Sequence, residues 1–268
     1  MKSLHDATVV ITGASSRKGL ATARAFAQHG ANVVLAARRR ELFEEAVRDC
    51  EALDGRSLAV PTDVTDPDQV RELASAAASA FGGIDVWLNN AGSSMWGPFE
   101  EIPVESQARL IELNLLGAIY GCHAALSYFF DRGGRGVILN VSSIFGRVPM
   151  PWAASYSASK AGLAGFTEAL RFELASRFGI DVCGVYPAYV DTPTYRNSAN
   201  YTLELYVRLS VVGVHLSTVP DGGLGEAPTP RRRIAILREL RHDGVIGSYF
   251  GAGYLPADVE KRPQKSTV

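Results

Sequence analysis

The sequence predicts a doubly wound α/β fold on a parallel sheet, and three observations carry that reading. Short β-branched runs alternate with helix-periodic segments from the N-terminus onward. Runs such as Val9-Val10-Ile11 and Val33-Val34-Leu35 are apolar at consecutive positions, so both faces of those strands need cover, which helices on the two sides of a parallel sheet provide. Each predicted strand is followed by a helical pattern.

Taken in order, the strands are Ala7–Thr12, Asn32–Ala37, Ser57–Pro61, Ile84–Asn89, Gly136–Ser142 and Ile180–Tyr186. The helices are Gly19–His29, with Leu20, Ala23, Phe26 and Ala27 on one face, then Arg40–Leu53, Asp68–Phe81, Val104–Arg132 and Ala153–Phe178. Open α/β sheets bind ligands beyond the carboxyl ends of their strands, so chemistry is expected just after Thr12, Ala37, Asn89, Ser142 and Tyr186. Beyond Tyr186 the pattern weakens. Thr192–Ser217 has mixed helical spacing, Thr218–Pro230 reads as loop, Arg232–Arg241 as a helix carrying Ile234, Leu237 and Leu240, and Val245–Phe250 as a last strand after Gly244. All 268 residues are expected to form a single domain, with a core over about 6–192 and a divergent substrate-side segment over 193–268.

Composition narrows the function. A chain that is 47% hydrophobic and 21% charged folds, and a formal net charge of −1 gives no field that would draw it to nucleic acid or an anionic membrane. Arg38-Arg39-Arg40 and Arg231-Arg232-Arg233 are local exceptions, read first as solvated helix starts. Cys50, Cys122 and Cys183 form no paired motif, so neither a disulfide framework nor a metal site is expected, and His5, His29, His123, His215 and His242 make no triad or metal set. The N-terminus has no apolar signal core, and Leu110 to Phe130 is interrupted by Glu112, Asn114 and His123; a cytoplasmic protein with no membrane span is expected.

The first strand runs into Gly13-Ala14-Ser15-Ser16-Arg17-Lys18-Gly19 and then a helix, the setting in which backbone N–H groups and a helix N-terminus meet a pyrophosphate. The second strand ends at Ala37-Arg38 with no carboxylate for a ribose 2′-hydroxyl. Arg38 suits a 2′-phosphate instead, which favours NADP(H) over NAD(H).

Further on come Asn89-Asn90-Ala91-Gly92, Asn114, Ser142-Ser143 and Tyr156-Ser157-Ala158-Ser159-Lys160. With the glycine turn, this ordered set resembles the short-chain dehydrogenase/reductase family, over about Ala7 to Thr192. The resemblance implies a Rossmann-like dinucleotide-binding fold with a catalytic set of Asn114, Ser143, Tyr156 and Lys160. It implies cofactor contacts at Gly13, Ser15, Ser16, Arg17, Gly19, Arg38, Asp63, Val64, Asn90, Gly92, Tyr156, Lys160, Pro187, Val190 and Thr192. For Asp63 a turn or helix cap is the rival reading.

The chemistry follows from residue types. Tyr156 and Lys160 lie four apart on a helix and share a face, so the ammonium, together with an oxidised nicotinamide ring, is expected to make the phenol more acidic from its usual value near ~10. Ser143 is expected to hydrogen-bond the reacting oxygen, and Asn114, by the resemblance, to hold a water that links Lys160 to solvent. The substrate is then a small-molecule alcohol or carbonyl compound, and the long helices Val104–Arg132 and Ala153–Phe178 are expected to pair copies into a homodimer or homotetramer.

Two departures stand out. Arg17 replaces the middle glycine of the family's turn and Lys18 an aliphatic residue; either both add charge for a 2′-phosphate, or Arg17 obstructs the pocket and weakens cofactor binding. Ala188 replaces a glycine after Pro187, and past Thr192 no family pattern is recognisable, which either divergence or a shifted reading frame explains. The alternative to an enzyme is a catalytically silent dinucleotide-binding regulator or scaffold; Ser143 lies in no G-x-S-x-G elbow, which disfavours a hydrolase.

Overall fold

The computed structural model describes residues 4–38, 43–53, 55–175, 178–187 and 199–200. Six strands, β1 (Thr8–Thr12), β2 (Asn32–Ala37), β3 (Ser57–Pro61), β4 (Val86–Asn89), β6 (Arg135–Val141) and β7 (Gly179–Val185), form one sheet in the order β3-β2-β1-β4-β6-β7. Every pairing is parallel, with Val9 opposite both Val33 and Val86, and Leu88 opposite Leu139. The doubly wound α/β expectation is therefore met.

Side-chain alternation along the buried strands builds two cores. Val9, Ile11, Val33 and Leu35 face α1 (Arg17–Ala27) and α2 (Phe43–Glu51), packing on Ala23, Phe26, Ala46 and Cys50. Val10, Val34, Trp87 and Ile138 face the other way, onto Val70, Leu73 and Ala77 of α3 (Pro67–Phe81), Cys122 and Phe129 of α5 (Gly117–Asp131), and Leu174 of α6 (Ala154–Ala175). Burying side chains of this size contributes roughly 1.5–3 kcal/mol each. Under the second face runs a polar chain: Trp87 Nε1 donates to Asn89 Oδ1 at 2.8 Å, Asn89 Nδ2 to Asn140 Oδ1 at 2.8 Å, and Asn140 Nδ2 to Thr167 Oγ1 at 3.0 Å. Each link satisfies a buried group that would otherwise be costly.

Strand order reverses where β4 returns to the far side of β1, which opens a crevice beyond the carboxyl ends of those two strands. Elements that differ from the sequence reading cluster around that crevice. Val104–Arg132 is not one regular helix: α4 (Val104–Ile111) and α5 are joined by a π-helical turn over Glu112–Leu116, with Asn114 at its centre. A two-residue strand, β5 (Met95–Trp96), pairs in parallel with β8 (Ala199–Asn200). The fourth strand begins at Val86, with Ile84 buried ahead of it in the core.

By length and hydropathy Val104–Asp131 could cross a membrane, yet its α5 half buries Ala118, Cys122, Ala125 and Phe129 against the sheet. The helix and strand expected over Arg232–Arg241 and Val245–Phe250 lie outside the described residues, as do Val190, Thr192 and Ala188.

Candidate active site

The turn after β1 is fixed from both sides. Gly13 has φ +66°, and a Cβ there would come within 2.7 Å of the Ala91 Cα, so only glycine fits against the β4 turn. Thr12 Oγ1 accepts from the backbone N–H groups of Asn90 at 3.0 Å and Ala91 at 3.1 Å, while Asn90 Nδ2 donates to the carbonyls of Thr12 at 2.9 Å and Gly13 at 3.1 Å. The Asn90 amide thus locks the two turns together. Ser16 caps α1, its Oγ accepting from Gly19 N at 3.0 Å, and with Ser15 it lines the cleft. Arg17 opens α1, but its side chain lies outside the described residues.

At the opposite wall, Tyr156 and Lys160 sit on α6 and Ser143 follows β6. Lys160 is buried and its Nζ donates to the Val141 carbonyl at 2.9 Å; the Ser142 hydroxyl donates to the Lys160 carbonyl at 2.8 Å. Ser143 starts a single 3₁₀ turn, Ile144–Gly146, and is hydrogen-bonded to the Tyr156 hydroxyl. Asn114 lies beneath this wall. Its Oδ1 accepts from Ser93 N at 2.9 Å and its Nδ2 donates to the Ser93 carbonyl at 2.9 Å and to Ser159 Oγ at 3.0 Å. Ser159 in turn donates to the Tyr156 carbonyl at 2.7 Å, so the π-turn ties the β4 loop to the helix that presents Tyr156.

Burial pushes the Tyr156 phenol up from its ordinary value, and the Ser143 hydrogen bond offsets this only in part, so the chain's own groups do not by themselves make it more acidic. Burial also brings the Lys160 ammonium down to about 7, with the Lys18 charge adding to the fall. Burial is the largest cause of both shifts.

A cavity of about 240 Å³ runs between these walls, lined from Arg38, Asp63 and Val64 at one end, past Gly13, Asn90 and Gly92, to Ser143, Tyr156 and Lys160 at the other. The structure thus gathers most of the sequence-predicted residues on one surface. Asn114, Gly19 and Pro187 do not form its wall: Asn114 and Gly19 support it, and the buried Pro187 accepts a hydrogen bond from Ile144 N at 3.0 Å. At the Arg38 end, burial alone raises the Asp63 carboxyl, but hydrogen bonds from Thr65 N (3.0 Å) and Oγ1 (2.7 Å) and the guanidiniums of Arg109 and Arg38 hold it below its ordinary range. Arg109 reaches Asp63 at 3.1 Å. The rival reading of Asp63 as a turn cap is therefore present in full.

Three lining residues escaped the sequence reading in this role. Trp96 stands 5.8 Å edge-on from Phe145 and 6.4 Å from Tyr156 by ring centroids, and Phe145 lies 6.3 Å from Tyr156, making an aromatic wall beside the phenol. Lys18, read as a possible partner for a 2′-phosphate, forms part of the same cavity wall. The signals available were position alone: Trp96 four residues after Gly92, and Phe145 two after Ser143.

The residues fit an extended dinucleotide: a turn in which Gly13 leaves no room for a Cβ, a capped helix N-terminus, and Gly92, where an added Cβ would meet Asn114 Oδ1 at 2.9 Å and Lys160 Nζ at 3.4 Å. Comparison with known proteins agrees. A family model for short chain dehydrogenase matches residues 7–201. An uncharacterized oxidoreductase, YxnA, of Bacillus subtilis is 32% identical over 93% of this chain and 70% of its own length. The 3beta-hydroxysteroid dehydrogenase 1 of Eggerthella lenta is 41% identical over 71% of this chain and 73% of its own. Among solved structures, the NAD+-bound xylitol dehydrogenase superposes with a TM-score of 0.67 at 28% identity, covering 70% of this chain and 72% of that one. The actinorhodin polyketide ketoreductase with NADPH superposes with a TM-score of 0.66 at 34% identity, covering 72% and 74%. The chain belongs to the short-chain dehydrogenase family and is a nicotinamide-dependent oxidoreductase acting on CH–OH or C=O groups.

Proposed function

We propose that this enzyme interconverts a secondary alcohol and a carbonyl compound with NADP(H), using Tyr156 as the general acid and base. The observation that carries the reading is the convergence of the Ser143 hydroxyl, the Tyr156 phenol and the Lys160 ammonium on one end of a cleft whose other end carries Arg38. A bound nicotinamide supplies the hydride to the carbonyl carbon, or takes it back from the alcohol.

The chain's own residues handle the oxygen and the proton. Ser143 donates a hydrogen bond to the oxygen on which negative charge grows, and Tyr156 delivers its proton there. A phenol that burial keeps protonated is well matched to that donation. Lys160, with its ammonium near neutrality, replaces the proton, and Asn114 acts as a positioning residue that holds the β4 loop against α6. The wall of Trp96 and Phe145 suits an apolar carbon skeleton beside the reacting group.

Arg38 supports the NADP(H) preference. It directly follows β2 in the cleft wall, where a guanidinium pairs with a 2′-phosphate and a carboxylate would repel one. In this family reading the protein is cytoplasmic, a single domain, and paired through α4, α5 and α6, on which Phe172 (63% exposed) and Phe130 (43%) present apolar surface.

The test is a kinetic comparison of NADPH and NADH over a panel of cyclic and aryl ketones. The wild type is expected to favour NADPH by about tenfold or more in kcat/KM, and Arg38→Asp to reverse that order. Tight cofactor binding with no turnover of any ketone would overturn the enzymatic reading in favour of a silent binder; an unchanged preference in Arg38→Asp would overturn the cofactor assignment.

A further inference from the structure

The last residue of β6 and the two that follow it each meet the helical turn that presents Tyr156 and Lys160. Lys160 Nζ donates to the Val141 carbonyl at 2.9 Å, the Ser142 hydroxyl donates to the Lys160 carbonyl at 2.8 Å, and Ser143 bonds the Tyr156 phenol. Of the three, the Ser142 contact is the one that runs to the helix backbone. Ser142 is buried and is itself fixed to the sheet, its N–H donating to the Val185 carbonyl of β7 at 2.8 Å. Its hydroxyl therefore carries the position of the sheet directly to the peptide group of Lys160.

Two further observations single this bond out. Lys160 lies within α6, so its carbonyl is the acceptor for the N–H four residues on, and the Ser142 bond is an additional one that helix formation does not require. The 3₁₀ turn after Ser143 presses on the same peptide. A Cβ at Gly146 would lie 2.6 Å from the Lys160 oxygen, 2.7 Å from its carbonyl carbon and 2.9 Å from Ser142 Oγ.

We propose that Ser142 is a positioning residue: its bond to the Lys160 carbonyl, with the Gly146 backbone packed beside it, sets the spacing between the Ser143 hydroxyl and the Tyr156 phenol that a reacting oxygen has to meet. A misplacement of about 1 Å in such a constellation costs about a hundredfold in rate. This rests on the proposed Tyr156 chemistry and gives Ser142 a part in it that acts through α6. The competing role is a buried hydroxyl that bonds a nearby carbonyl and serves stability alone.

Single-turnover rates of ketone reduction with bound NADPH, read beside ketone KM and Tm, separate the two. Ser142→Ala is expected to slow reduction about tenfold or more, with ketone KM and the NADPH Kd within about twofold of wild type. Ser142→Thr, which restores the hydroxyl, is expected to recover most of the rate. Gly146→Ala keeps every hydroxyl but drives a methyl into the Lys160 peptide, and should show the same split with a larger loss. Thr167→Val is the comparison. Thr167 Oγ1 donates to the Leu163 carbonyl at 2.6 Å and accepts from Asn140 Nδ2 at 3.0 Å, farther along α6, so its loss should lower Tm by at least as much and leave the rate within about twofold. A wild-type rate in Ser142→Ala, or an equal loss of rate in Thr167→Val, would overturn the proposal. If the wild type reduces no ketone, the proposed function itself fails, a result distinct from Ser142→Ala keeping pace with an active wild type.

Discussion

At the Arg38 end of the cleft two guanidiniums stand beside a carboxylate that keeps 28% of its side chain exposed, whereas at the Tyr156 end Lys160 is buried with no described carboxylate acting on it. The same kind of charge therefore has opposite consequences. Beside Asp63, the cations stabilise the ionised partner against the upward push of burial. Around Lys160, burial and a like charge both favour loss of the proton, and the neutral state comes within reach at ordinary pH. On the proposed function, one end holds fixed charge for binding and the other keeps a proton available for transfer.

The largest way to break this contrast is Lys160→Met. Turnover is expected to fall by about three orders of magnitude, since the proton supply behind Tyr156 is gone. Stability should respond in the opposite sense. The folded pKa of Lys160 lies at about 7, against an ordinary 10.5, so the cost of burying the ammonium is full below pH 7 and disappears as pH rises to 10.5. The advantage in Tm of Lys160→Met over wild type should accordingly shrink across that window. A gap that widens with pH would contradict the burial argument.

Asp63→Asn gives a smaller effect of the other sign. Its folded pKa is depressed, so ionised Asp63 stabilises the fold above its ordinary value of 3.8, and that contribution is lost as pH falls through the lower folded value. The variant should melt below wild type at pH 7 and converge with it in acid, and it should bind NADPH only a few-fold more weakly, because the carboxylate is partly solvated. Equal melting at pH 7 would show that the exposed ion pair with Arg109 contributes nothing.

The strands were legible because a parallel sheet covered on both faces writes near-continuous apolar runs such as Val9–Ile11 and Val33–Leu35, and their carboxyl ends pointed to the cleft before any motif was considered. The π-turn at Asn114 was not, since helical periodicity carries through Val104–Arg132 and the turn is held by tertiary bonds to Ser93 and Ser159. Nor was the pairing of Met95–Trp96 with Ala199–Asn200, two residues long and about a hundred positions apart. Spacing placed Tyr156 and Lys160 on one face, but the acidity of the phenol depends on burial that no spacing reveals. For Lys18, four rotatable carbons leave open which end of the cleft the charge reaches.

Proton exchange through Tyr156 is the claim on which both ends of this contrast depend, and Tyr156→Phe tests it most directly. Ketone reduction should fall by at least about a thousandfold while the calorimetric Kd for NADPH stays within a few-fold of wild type, because the ring and its contacts with Trp96 and Phe145 remain. Substantial turnover in Tyr156→Phe would contradict the account.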